Sequence, residues 1–147
     1  MKNTKWTRRG FLSFTGGVAT AAVIGCATGS KANKVSANDV VNIGLIGLGG
    51  RCKHMAETCG HIPQLRIAAV CDCFQPRVDG FIKDCQPKDQ TWKGYVDFRE
   101  MIEKENLDGV MVETTTHARA WVTCLAMAAG ADVYIEKPMC LTIAEGR

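Results

Sequence analysis

Short apolar runs rich in β-branched residues alternate along this chain with stretches whose apolar residues recur every three or four positions. Val41 to Gly47 predicts a first strand, and Gly50 to about Gly60 a helix with Met55 and Cys59 on its inner face. Leu65 to Cys71 predicts a second strand, apolar enough throughout to be buried on both faces of a parallel sheet. A helix follows from Pro76, a good first-turn residue, to about Cys85. After the polar stretch 86–93, Gly94 to Val96 predicts a short third strand. Asp97 with Glu100 comes close to a capping box and opens a helix to about Asn106. Asp108 to Glu113 predicts a fourth strand, and Ala118 to Ala129 a helix. Along that helix Trp121, Leu125 and Ala128 recur at helical spacing, as do Val122 and Ala126. Asp132 to Glu136 predicts a fifth strand, which Lys137-Pro138 stops.

Strands alternating with helices predict an α/β fold, a Rossmann-type doubly wound parallel sheet over residues 39–147. Thr142-x-x-Glu145 is a second capping box, and the chain stops two residues later. A natural domain rarely stops one turn into a capped helix, so the expectation is a domain truncated at its C-terminal end.

Such sheets bind ligands in the crevice at the carboxyl ends of their strands. Gly47 to Arg51, Asp72, Thr114 to His117 and Glu136 to Pro138 all fall at predicted strand ends. Gly47 and Gly49 fill the first two positions of G-x-G-x-x-G, Gly50 and Arg51 follow them, and Cys52 takes the place of the third small residue. A turn of this kind brings bare backbone and the free N–H groups of a helix start up to a pyrophosphate. Asp72, 25 positions after Gly47, can accept hydrogen bonds from both adenosine ribose hydroxyls and repels a 2′-phosphate, which favours NAD over NADP. Arg77 lies close enough to stack on adenine or to meet a phosphate, which keeps NADP open. Taken alone, a glycine turn and a strand-ending aspartate also occur with no ligand.

The net charge of +3 comes largely from the first residues and argues nothing about nucleic acid. No basic stripe with interleaved aromatics is present, so no nucleic-acid partner is expected. The chain has eight cysteines, none in a C-x-x-C and none partnered by His at zinc-finger spacing, so no metal is expected. Several lie inside apolar runs, where a thiol behaves as a small hydrophobe, and a disulfide stays open if the protein leaves the cytoplasm.

Residues 1–38 read as a leader and linker. Lys2 to Arg9 is basic without an acid, and a modestly apolar run rich in Gly, Ala and Thr follows. That run is short and weakly hydrophobic for a membrane span. Thr7-Arg8-Arg9-Gly10-Phe11-Leu12 resembles the twin-arginine export signal, which predicts export by the twin-arginine machinery to the periplasm. Two processing sites compete: Val23 to Cys26 resembles a lipobox that would leave Cys26 lipid-anchored, and Val35-Ser-Ala37 resembles an ordinary cleavage site.

The chain from about Asn42 onward resembles the glucose–fructose oxidoreductase, inositol dehydrogenase and MocA family of NAD(P)-dependent oxidoreductases. The resemblance is carried by Gly47-Leu-Gly-Gly-Arg51, Asp72, Asp97 to Met101, Thr114 with His117, Ala129 to Pro138 and Leu141 to Arg147. Its most specific part is Glu136-Lys137-Pro138. The resemblance implies that Lys137 lies near the nicotinamide and the reacting carbinol as the catalytic residue, and that Glu136 lies by the nicotinamide ribose. It also places Thr114, Thr115 and His117 in the loop that touches the nicotinamide. In that loop Thr115 stands for the usual Pro, Thr116 for Asp or Asn, and Arg119 for a second His where one occurs.

The family further implies a second domain that carries the contacts to a sugar or polyol substrate and forms a homo-oligomer, so the chain alone is expected to be inactive. Some relatives cleave glycosides by transient oxidation with NAD recycled in place. That branch lacks an intact E-K-P, so Glu136-Lys137-Pro138 weighs toward net oxidation. A nucleotide-binding module without catalysis is the remaining alternative.

Overall fold

The computed structural model describes residues Val40–Arg147. The leader, Cys26, the competing cleavage site at Ala37 and the boundary at residue 38 lie outside the described residues. The elements are β1 Val41–Ile46, α1 Gly50–Gly60, β2 Leu65–Cys71, α2 Gln75–Cys85, β3 Lys93–Tyr95, α3 Phe98–Lys104, β4 Gly109–Val112, α4 Thr116–Ala128 and β5 Asp132–Ile135.

The five strands form one sheet in the order β3-β2-β1-β4-β5, and every neighbouring pair is parallel. The chain builds outward from β1 to β2 and β3, then returns past β1 to add β4 and β5. The strand order therefore reverses between β1 and β4, where a doubly wound sheet opens its ligand crevice.

Side-chain alternation along β1 divides the core. Ile43 and Leu45 point to the α1 and α2 side with Cys52, Cys59, Val78 and Phe81. Ile46 points to the other side with Met101, Val122 and Ala126 of α3 and α4. The register of β1 on β2 shifts between Ile43 and Gly44, so Ile43 faces Ile67 while Gly44 faces Ala69. A Cβ at Gly44 would stand 2.8 Å from Met101 Cε and 2.9 Å from Leu107 Cδ1, so this glycine lets α3 and the following loop close on the sheet.

The five predicted strands and the four helices between them are all present, with differences at edges and faces, while the helix expected from Thr142 does not form. β3 pairs through Lys93 rather than Val96, because its partners on β2 are Ala69 to Cys71 and the ladder closes with Asp72 N–H donating to the Tyr95 carbonyl. α3 stops at Lys104, two residues before the predicted end, where Glu105 accepts from the Tyr95 hydroxyl and from Lys93 Nζ instead of continuing the helix. On α1 the buried face is Cys52, Ala56 and Cys59, while Met55 is only partly buried. On α4 the core takes Val122 and Ala126, whereas Trp121 is 54% exposed and Leu125 and Ala128 are also exposed. Trp121 still meets Phe98 edge-to-face at 5.4 Å.

At Thr142 the capping-box sequence makes one of its two bonds and a neighbouring one, without a helix. Glu145 N–H donates to Thr142 Oγ1 at 3.2 Å, and Leu141 N–H donates to Glu145 Oε2 at 2.8 Å. The seven described cysteines are free; Cys52, Cys59 and Cys71 are buried, while Cys73 and Cys124 are exposed. Burial pushes the Cys52 and Cys71 thiols up to about 12 and keeps them protonated.

Candidate functional site

The carboxyl ends of β1, β2 and β4 enclose a cavity of about 460 Å³ whose lining includes Gly47, Gly49, Asp72, Arg77, Thr114, Thr115 and His117. A second cavity of about 460 Å³ is lined by Arg51, Glu113, Arg119, Glu136 and Lys137. Together these two linings hold every candidate cofactor-binding or catalytic residue named from the sequence except Gly50, which opens α1 beside Gly49. A larger cavity, about 700 Å³, lies at the other end of the sheet between the C-terminal ends of α1 and α2. It contains none of those residues and sits away from the strand ends where this architecture binds ligands.

Each turn glycine has its own reason. Gly47 has φ +91°, and a Cβ there would stand 2.7 Å from Thr114 N and 2.9 Å from the Glu113 carbonyl carbon. Only glycine lets the end of β1 pass the end of β4 this closely. A Cβ at Gly49 or Gly50 would meet nothing within 4 Å, so no atom among the described residues requires glycine at either position. Their effect is to bare the backbone where α1 begins. Gly49 caps α1 without a side-chain bond, and the first N–H groups of a helix have no acceptor within it. A bare helix start of this kind fits a pyrophosphate.

Cys52 takes the usual third-glycine position and is fully buried between α1 and the sheet. It fills space that a smaller residue would leave for closer helix–strand packing.

Asp72 is only 5% exposed and is held from several sides. Its Oδ2 accepts from Leu48 N–H at 3.0 Å, its Oδ1 from Phe74 N–H at 3.1 Å, and Arg77 Nη1 reaches both oxygens at 3.3 and 3.4 Å. It therefore ties the glycine turn to the end of β2. A carboxylate offers about four acceptor positions, so a ribose hydroxyl would need to displace the long Arg77 contacts to reach Asp72. Arg77 leans over the Phe74 ring, with its guanidinium carbon 6.0 Å from the centroid. Its positive charge is engaged by Asp72 rather than held free for a 2′-phosphate.

Beyond β4 and β5, the polar groups interlock. Arg51 donates from Nε and Nη2 to Glu136 Oε1 at 3.2 and 2.9 Å, joining the start of α1 to the end of β5. That pairing raises the Arg51 guanidinium further above its ordinary value. Glu136 Oε2 also accepts from the Lys137 backbone N–H at 3.1 Å. The Lys137–Pro138 peptide is cis, and Lys137 is exposed. His117 Nδ1 lies 3.2 Å from Thr115 Oγ1.

Two residues gain roles that the sequence reading did not give them. Arg119 is 7% exposed; it donates from Nη1 to the Pro138 carbonyl at 2.7 Å and from Nη2 to the Thr114 carbonyl. It thereby clamps the loop after β5 to the loop after β4. Its spacing to Val122 and Ala126 puts an arginine on the core stripe of α4, and that was the available signal. Glu113, at the end of β4, has both carboxylate oxygens buried without a hydrogen-bond partner. Burial, and next the like charge of Glu136, push its carboxyl above the usual carboxylate range despite Arg51 and Arg119. Nothing in its sequence position set it apart from an ordinary strand-end residue.

The family described as an oxidoreductase family with an NAD-binding Rossmann fold matches residues 41–147. A glycosyl hydrolase family 109 protein of Bacteroides fragilis is 34% identical over 112 residues, 73% of this chain and 24% of that protein. An alpha-N-acetylgalactosaminidase of Shewanella oneidensis is 29% identical over 113 residues, with the same shares covered. The crystal structure of a probable dehydrogenase from Thermotoga maritima superposes with a TM-score of 0.64 at 28% identity, over 71% of this chain and 30% of that one. The chain thus spans about a quarter of the length of the curated relatives it matches.

Proposed function

Since the chain belongs to the Gfo/Idh/MocA oxidoreductase family and carries its NAD-binding Rossmann fold, we propose that it is the cofactor-holding part of an exported enzyme. That enzyme passes a hydride between a sugar or polyol carbinol and the nicotinamide. The supporting observation is the bare, uncapped backbone at Gly49 and Gly50 beside Asp72, in line along one sheet edge with Lys137. NAD supplies the hydride acceptor when bound. The start of α1 binds the pyrophosphate, and Asp72 orients the adenosine ribose. Arg51 and Glu136 brace the far side of the crevice, and Lys137 Nζ holds or returns the carbinol proton. Asp72 and the engagement of Arg77 favour NAD, with NADP the weaker alternative. Substrate contacts and oligomer formation belong to a second domain. The twin-arginine pattern at Arg8-Arg9 supports export to the periplasm, with lipidation at Cys26 as one processing route.

The family 109 relatives favour a second reading, in which transient oxidation cleaves a glycoside and NAD is regenerated in place. One assay separates the two. The full-length protein is incubated with NAD⁺ and, in parallel, with polyols, free sugars and aryl glycosides. Accumulating NADH with a polyol or sugar supports net oxidation. Release of sugar without NADH supports the glycosidase. Neither product, with nucleotide bound, supports a binding module.

A further inference from the structure

Glu113 is a carboxylate that its surroundings leave without a donor. Both of its oxygens are buried and unbonded. Among the described residues it is also the one that lines both the cavity of the glycine turn and the cavity of Lys137. Two guanidinium groups act on it without donating to it: Arg51 donates to Glu136, and Arg119 donates from Nη1 and Nη2 to the carbonyls of Pro138 and Thr114 while its Nε is buried without an acceptor. A buried carboxylate without donors is unfavourable, and a cation brought by a ligand is its natural complement.

The sheet order says which part of a ligand arrives there. Asp72 and the glycine turn occupy the β2 and β1 side, so a dinucleotide with its adenosine there lays its other half across β4 and β5. That half ends in a nicotinamide ring, which is cationic when oxidised and uncharged when reduced. Glu136 also stands on this side, but its charge is matched by Arg51. Lys137 and Arg119 are cations and work against a positive ring, so on this side a preference for a cationic ring is carried by Glu113 against their opposition.

We infer that Glu113 sets a preference of this site for the oxidised cofactor, its carboxylate attracting the cationic ring of NAD⁺ and gaining nothing from the uncharged ring of NADH. The inference rests on the dinucleotide reading given under Proposed function. It is tested by measuring binding of NAD⁺, NADH and ADP-ribose to the 147-residue chain, unsubstituted and as Glu113→Gln and Glu113→Leu. Glu113→Gln removes the charge and keeps the shape, Glu113→Leu removes the polar group altogether, and the second guards against a glutamine that packs badly.

The expected result is that NAD⁺ weakens relative to NADH by about fivefold or more in both variants, as loss of one nearby charge implies, while ADP-ribose, whose pyrophosphate loses a neighbouring negative charge, does not weaken. An unchanged NAD⁺ to NADH ratio, with both still bound, overturns the inference and leaves the dinucleotide site standing. If the unsubstituted chain binds none of the three ligands, the dinucleotide reading itself falls, and the role of Glu113 with it.

Discussion

At the scale of single residues, the two turn glycines separate folding from binding. Gly47 combines φ +91° with backbone atoms of β4 less than 3 Å from where its Cβ would be. Gly47→Ala is expected to destabilise the chain by more than about 2 kcal/mol, measured by chemical denaturation. Gly49→Ala has open space around it. It should leave the denaturation midpoint nearly unchanged and weaken dinucleotide binding, read by titration calorimetry.

Glu113 gives a pH signature. Its carboxyl value is raised in the folded state. Its contribution to stability is therefore complete below the unfolded carboxyl value and is lost as pH rises through the folded value. Denaturation of the chain and of Glu113→Gln from acid to neutral pH should show the variant gaining relative stability as pH rises. A constant difference across that range would contradict a buried, unpartnered Glu113.

The sequence motif made Asp72 legible as a crevice residue. Its bond to Leu48 N–H was not legible, because that bond depends on how closely the turn folds back over β2.

At the scale of elements, strand identities were readable because parallel strands buried on both faces are continuous apolar runs. β1, β2 and β4 fall within a residue or so of their predicted limits. Helix faces were harder to read. Two sets of positions on α4 satisfy helical spacing, and the larger side chains, Trp121 and Leu125, lie on the exposed one. The sheet accepts the slimmer Val122 and Ala126, and periodicity alone does not measure that depth.

The same stripe carries Arg119, whose two carbonyl bonds fasten the loop after β4 to the loop after β5. Arg119→Ala leaves both carbonyls without that donor and should destabilise the chain by about 1–3 kcal/mol or more. Hydrogen exchange should quicken in residues 114–118 and 137–140. Arg119→Lys should rescue little, because one ammonium does not reproduce the two-pronged geometry. Unchanged exchange in both loops would show that Arg119 is held by its burial and not by its bonds.

At the scale of the whole molecule, each structural layer leads to the same edge of the sheet. The strand order opens a crevice between β1 and β4, and the glycine turn bares the start of α1 there. Asp72 fixes that turn to β2, and Arg119 and the Arg51–Glu136 pair hold the Lys137 side. The architecture and most of this edge were legible because they follow from periodicity and from motif residues at strand ends. The polar bonds that brace the edge join residues as far as 85 positions apart, as Arg51 and Glu136 do, and only the folded chain brings them together.

The most direct test of the central claim is a calorimetric titration of the chain with NAD⁺, run in parallel on Gly49→Ala. The account predicts saturable binding at one site, clearly weakened by Gly49→Ala in a variant that remains as stable as the original. Absence of binding by the folded chain, or equal binding by the variant, would contradict it.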